Sequence, residues 1–265
     1  MSMRLDENQH SLDFLKENKL GGLYPISVKN NLLVLPDKYL EVLTSLDSET
    51  NFENMKATDT NWNYVRELLV SGYWLDNWYD DNLPTPKTLF FDLDQTNITF
   101  DTGKFLRLTS VSSKTQTAPE FSLKNVDQII NTERCLDSLA LAKRVGREIK
   151  VAVRDWIDTT CGVEWRCFVY DDKVRAIAIN DTAIADQNNT EIITRVQELY
   201  KKIRYNVPSI DCVMDVWLHN SDAEKDCVIE FNSYGFWGNA CIDLYDWVLD
   251  GAILYGLVDE ISIRR

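Results

Sequence analysis

Apolar runs punctuated by isolated polar residues mark EIKVAVRDWI, VEWRCFVYDDKVRAIAIN, DCVMDVWLH and CVIEFNSYG. A strand sends successive side chains to opposite faces, so each block predicts a strand with two distinct faces. LYPISVKNNLLVLP alternates apolar and polar residues as a strand does, TLFFDLD is an apolar run entered through a loop containing Pro84 and Pro86, and KFLRLTS reads as a further strand. Helical spacing marks residues 8–20, closed by Gly21 and Gly22, then DKYLEVLTSL with Asp37 as a cap, residues 62–75, and most of SLKNVDQIINTERCLDSLALAKR. It also marks residues 189–204 and the tail CIDLYDWVLDGAILYGLVDEI. Strands and helices interleave along the whole chain, which predicts an α+β or α/β fold of two lobes.

Two hairpins follow from this pattern. In the first, VEWRCFVY and KVRAIAIN are joined by the turn Tyr170-Asp171-Asp172-Lys173. Alternation puts Glu164, Arg166 and Phe168 on one face, and Trp165, Cys167 and Val169 on the other. In the second, DCVMDVWL and DCVIEFNSY flank the polar connection HNSDAEKD. Period two then turns Glu230 and Asn232 to one side and Ile229 and Phe231 to the other, and antiparallel pairing brings Asp215 to meet them.

Composition narrows the chemistry. The chain has 265 residues, enough for a sizeable core. With 42 acidic against 28 basic residues, its net charge of −14 argues against a nucleic-acid backbone or an anionic membrane as partner and favours a basic protein surface. Six cysteines without a C-x-x-C pair, and only His10 and His219, give a structural zinc site little support. The opening MSMRLDENQH lacks the apolar core of a signal peptide, and no run approaches the ~20 apolar residues of a membrane span, so a cytoplasmic protein is expected.

Asp215, Glu230 and Asn232 supply two carboxylates and an amide on one sheet face, a donor set suited to a hard cation such as Mg²⁺. Carboxylates so placed repel unless a cation or a basic group sits among them, so an arginine partner is the competing reading. Arg166, fixed in mid-strand, needs an anion. Its planar fork suits phosphate, while an ion pair with Glu164 or Asp215 would satisfy it equally. Arg107 in its strand and Lys114 behind the hydroxyl-rich TSVSSKTQT loop add positive charge, although no G-x-x-x-x-G-K-[ST] loop occurs.

In order along the chain, these blocks resemble an ATP-grasp protein, whose D-x…E-x-N hairpin DCVMDV…CVIEFNSYG matches. The segment IKVAVRDWIDTTCGVEWRCFVYDDKVRAIAIND more narrowly resembles the cell division cycle protein 123 family, with its R-x-W block followed by an E-[FWY]-R-C-F-V block. The resemblance implies an α+β ATP-grasp fold, with residues 1–103 contributing to the first lobe and 104–265 forming the nucleotide- and metal-binding lobes. ATP would lie between two antiparallel sheets. Arg107 and Lys114 would match basic residues of the first strand and its loop; Val153, Arg154, Asp155 and Trp156 would meet adenine and ribose, partly through backbone; Arg166 would touch phosphate; and Asp215, Glu230 and Asn232 would hold Mg²⁺. By the same resemblance the partner would be the γ subunit of translation initiation factor 2, whose complex such proteins assemble. The alternative is an ATP-dependent ligase joining a carboxylate to the amine of a peptide or protein acceptor. The chain departs from the family pattern in carrying Arg107 for lysine and Glu230 for aspartate.

Overall fold

The computed structural model describes residues 72–94, 103–113, 131–144, 146–180, 188–207, 211–234, 244–245 and 250–265. The strand and helices expected before residue 72 lie outside them. Two sheets organise the chain. The smaller is an antiparallel three-stranded sheet of β1 (Thr88–Asp92), β2 (Lys104–Leu108) and β3 (Lys150–Asp155), with β3 in the centre. The larger has the order β7-β6-β4-β5-β8, from β4 (Gly162–Tyr170), β5 (Lys173–Ile179), β6 (Cys212–His219), β7 (Cys227–Ser233) and β8 (Ser262–Arg264). Only β8 runs parallel to its neighbour in this sheet.

Each sheet buries one face under a helix. On the small sheet, Leu106, Leu108, Val151 and Val153 pack with Cys135 and Ala142 of α2 (Glu133–Arg144). On the large sheet, Trp165, Cys167, Met214 and Val216 pack with Ile192, Val196, Leu199 and Ile203 of α3 (Asn189–Ile203). This helix begins where the Asn188 side chain accepts the Thr190 N–H at 2.9 Å, and its Glu191 and Lys201–Lys202 ends complement the helix dipole. The alternation predicted for β4 therefore holds, with Trp165, Cys167 and Val169 in this core and Phe168 in a separate cluster on the other face with Val213, Tyr234 and Tyr255.

Both predicted hairpins form. The β4–β5 turn requires left-handed backbone at Asp171 (φ 51°) and Asp172 (φ 57°), a conformation aspartate tolerates better than most residues. The tail departs from expectation. Among the described residues its helix is confined to α4 (Gly251–Leu254), and the chain then adds β8 to the sheet edge. Glycines at 251 and 256 weaken a helix there, and Gly256 turns the chain with φ +69°. Arg264 fixes the new course, donating to Asp250 Oδ2 at 2.7 Å while lying 4.2 Å over the Tyr245 ring. The helix expected over 62–75 lies mostly outside the described residues; within them, residues 72–74 are not helical, and a short helix α1 (Leu75–Trp78) begins where the expected one would end.

Arg195 and Asp226 clip α3 to the β6–β7 hairpin, with residual exposures of 8% and 7%. Arg195 donates to both Asp226 oxygens and to the His219 carbonyl, and the His219 N–H donates to Asp226 at 3.0 Å. Removing one partner of such a pair strands a buried charge. Asp226→Ala is therefore expected to lower unfolding stability by about 3–5 kcal/mol, measured by urea denaturation.

Asp211 makes a pH-dependent contribution. Its carboxylate accepts the Asp171 N–H at 2.7 Å, yet burial pushes its pKa from 3.8 up to about 6. An acid that is harder to ionise when folded destabilises the native state progressively as pH rises from 3.8 to about 6, and fully above that. Asp211→Asn keeps the acceptor oxygen, so the variant should be more stable than the parent by about 1–2 kcal/mol at pH 8. The advantage should vanish near pH 4, a comparison made by denaturation at both pH values.

Candidate functional site

A cavity of about 220 Å³ opens between the two sheets. The small sheet supplies Phe105, Arg107, Arg154 and Asp155; the connection to the large sheet supplies Trp156, Ile157 and Thr159. Opposite them stand Glu164, Trp217, Ile229 and Glu230. The pairing register explains these choices. Phe105 and Arg107 are two apart on β2, with Arg154 and Ala152 as their partners on β3, so all four share the face that does not pack on α2. On the large sheet Arg166, Asp215 and Glu230 are directly aligned across β4, β6 and β7.

That row brings Asp215 and Glu230, like charges, into direct cross-strand opposition, an arrangement that destabilises a sheet unless neutralised. Each carboxylate has its own arginine. Arg166 grips Asp215 with two parallel bonds, Nε to Oδ1 and Nη2 to Oδ2, each 2.8 Å. Arg107, from the other sheet, reaches Glu230 Oε2 at 2.7 Å. Asn232 donates to Asp215 Oδ2 at 3.3 Å, which leaves its amide oxygen without a partner among the described residues. The three expected metal-ligand candidates thus do face one way, and a β-bulge between Asp215 and Val216 falls at this point of the ladder.

The donor set of two carboxylates and an amide oxygen suits Mg²⁺, which keeps water or phosphate in its remaining positions. Among the described residues there is no group of three or more His, Cys, Asp or Glu side chains that could hold a metal, so an ion here would depend on Asn232 and on what a ligand brings. Arg166 takes the ion-pair course that its sequence also allowed. With Asp215 1% exposed, the pair is structural in the absence of other anions.

The other predicted residues divide. Arg107, Arg154, Asp155 and Trp156 line the cavity, and Trp156 stands edge-on to Phe105 with ring centroids 5.8 Å apart. Asp155 is paired with Lys104 at 2.5 Å. Val153 turns away: it is one residue out of phase with Arg154 and packs with Leu106 and Leu108 on the α2 side. Lys114 lies outside the described residues.

Sequence reasoning did not single out Phe105, Ser112, Trp217 or Thr88. Phase alone would have found Phe105, two residues before Arg107. Trp217 depends on Gly162, where a Cβ would stand 2.5 Å from both the Trp217 ring and the Leu218 carbonyl. Only glycine lets that indole lie against the β4 backbone and form the cavity wall.

With this geometry in view, the comparisons are specific. A family model described as D123 matches residues 123–248. A CDC123-like protein of Acanthamoeba polyphaga mimivirus is 24% identical over 255 residues, spanning 75% of this chain and 76% of the viral protein. The chain resembles the D123 family. Cdc123 from Schizosaccharomyces pombe shares its fold, with a TM-score of 0.56 at 14% identity, over 74% of this chain and 96% of that one. A C-terminally truncated form of the same yeast protein gives 0.55 at 15% identity. The chain therefore shares the α+β fold of that yeast protein, as the resemblance of its sequence implied. No helix among the described residues is long and apolar enough to cross a membrane.

Arg166 and Asp215 should behave as one energetic unit. In a double-mutant cycle of Arg166→Ala and Asp215→Ala, a coupling energy of about 2–3 kcal/mol is expected in the unliganded protein, because either single change removes the opposite charge from a largely buried pair. Additive losses in urea denaturation would show that the two side chains do not rely on each other.

Proposed function

We propose that this chain binds ATP with Mg²⁺ between its two sheets and acts, like the family it resembles, as an ATP-dependent assembly factor for the translation initiation factor 2 complex, docking on the γ subunit. The observation that carries the reading is the convergence of Asp215, Glu230 and Asn232 beside a cavity whose opposite wall holds Arg107 and Arg154.

Adenine and ribose fit the aromatic end, against Phe105 and Trp156 and the backbone of 155–157. Polyphosphate fits the end lined by arginines, where Arg107 stands and where Lys114 follows in sequence. Mg²⁺, held by Asp215, Glu230 and Asn232, supplies charge screening and orientation of the terminal phosphate. The protein's own part is an exchange of partners. Arg107 and Arg166 neutralise Glu230 and Asp215 before ligand enters, and the same guanidinium groups turn to phosphate oxygens when the carboxylates take a cation. Guanidinium suits both roles, since its fork matches carboxylate and phosphate alike. The net charge of −14 favours a basic docking surface on the protein partner.

Glu230→Gln keeps size and hydrogen bonding while removing one anionic ligand. By calorimetry, ATP affinity in Mg²⁺ is expected to fall at least about tenfold, to the level measured in EDTA. A variant that retains the full Mg²⁺ enhancement would remove the metal assignment. A pull-down with the isolated γ subunit, with and without ATP, tests the assembly role. Release of ADP only when peptide or amino-acid acceptors are added would instead assign the chain to the ligases.

A further inference from the structure

The arginines of this fold are not alike. Arg166 and Arg195 each direct a pair of hydrogen bonds at Asp215 and Asp226, and Arg264 does the same to Asp250. Arg154 is 3% exposed and lines the cavity, yet it forms no ion pair with any described residue. Its Nη1 donates to the Ile229 carbonyl at 2.7 Å and its Nε to Thr88 Oγ1 at 3.2 Å, both neutral oxygens. Its Nη2 is buried without a hydrogen-bond partner among the described residues. A charged donor left in this state costs about 1–3 kcal/mol or more, and native proteins rarely keep one without a use.

The surroundings sharpen the anomaly. Arg107 lies on the same face of the small sheet, and its positive charge adds to burial in pulling the Arg154 guanidinium down to about 10. The only carboxylate that either arginine reaches among the described residues is Glu230, which Arg107 binds. Ser112, 6% exposed, contributes a hydroxyl to the same cavity. One wall thus holds two guanidinium groups and a hydroxyl, and of the acidic residues lining the cavity, Asp155, Glu164 and Glu230, only Glu230 is paired with one of them, in a space also lined by Phe105, Trp156 and Trp217.

We propose that Arg154 is a preformed anion-binding residue of this cavity, set with Arg107 and Ser112 to take the polyphosphate of the nucleotide. Thr88 and Ile229 hold the guanidinium plane in place and leave one edge for the ligand. The assignment adds to Arg166, whose fork is held by Asp215 until a cation arrives, a phosphate contact at the residue that the family resemblance placed at the adenine and ribose. A polyphosphate rather than a lone carboxylate suits the site, because two adjacent guanidinium groups can share its oxygens while Glu230 stays available to a cation. This inference rests on the nucleotide reading above, but it makes a separate demand.

Calorimetry of the parent protein, Arg154→Lys and Arg154→Gln with Mg·ATP, inorganic tripolyphosphate and adenosine tests it. Lysine keeps the charge without the fork, so affinity for both ATP and tripolyphosphate is expected to fall about tenfold, and about a hundredfold for glutamine. Adenosine binding should not change. Equal losses for ATP and adenosine, or unchanged ATP affinity in both variants, would overturn the assignment while leaving the nucleotide reading in place. A parent protein that binds tripolyphosphate but not ATP would keep the anion site and remove the nucleotide. Should neither variant fold, thermal unfolding of the parent decides: tripolyphosphate is expected to raise the melting temperature and adenosine to leave it unmoved, and no rise with tripolyphosphate ends the proposal.

Discussion

The two sheets meet across a cleft held by arginine. Arg107 of the small sheet reaches Glu230 on the edge strand of the large one, and Arg154 reaches the carbonyl of the adjacent Ile229. Apolar contacts support the join nearby, with Trp78 edge-on to Phe231 at 4.8 Å and the Val228 N–H donating to the Pro84 carbonyl at 2.8 Å. The polar bridges nonetheless determine what the cleft can be. Two carboxylates opposed across β6 and β7 are tolerable in a poorly hydrated space only with cations beside them, and the chain supplies those cations from both sheets. The lobes are therefore joined by the same charges that a ligand would have to redistribute.

This coupling explains the division between what the sequence discloses and what it withholds. The β4–β5 and β6–β7 hairpins are legible because a period of two is strict: a slip of one residue would bury Glu230 and Arg166 beneath α3. Asp215, Glu230 and Asn232 could be placed together on that ground alone. The choice of Arg166 between phosphate and Asp215 could not, since both anions satisfy a fork and only the direct alignment of residues 166 and 215 decides. Phase also separates Val153 from Arg154, yet a resemblance that names a hinge of four consecutive residues does not respect phase. The side chains of such a run cannot all face one cavity.

Other features escape sequence patterns for different reasons. Helical spacing in the tail is real, but it competes with two glycines and with a tertiary anchor, Arg264 on Asp250 and Tyr245, which makes a strand of the last residues. Trp217 reads as one more apolar residue of β6 until Gly162 is seen beneath it. Arg154 reads as a charged residue in a buried strand, an unfavourable choice locally. Such conflicts between local preference and global fold tend to sit at functional positions.

The electrostatics of the cleft bear on the order in which ligands enter. Before binding, Arg107 and Arg166 occupy the carboxylates that a metal would need, so a free divalent ion must displace three charge-assisted bonds and leave two guanidinium groups without their carboxylates. A free polyphosphate faces the reverse problem, since drawing the arginines away exposes Asp215 and Glu230 to each other. Entering together, metal and phosphate each offer the partner that the other removes, and no charge in the cleft is left alone at any stage. Arg154 does not take part in this exchange, because it holds no carboxylate and gives nothing up. It therefore offers an arriving anion its first contact at little cost, and the paired arginines follow once the metal has somewhere to bind.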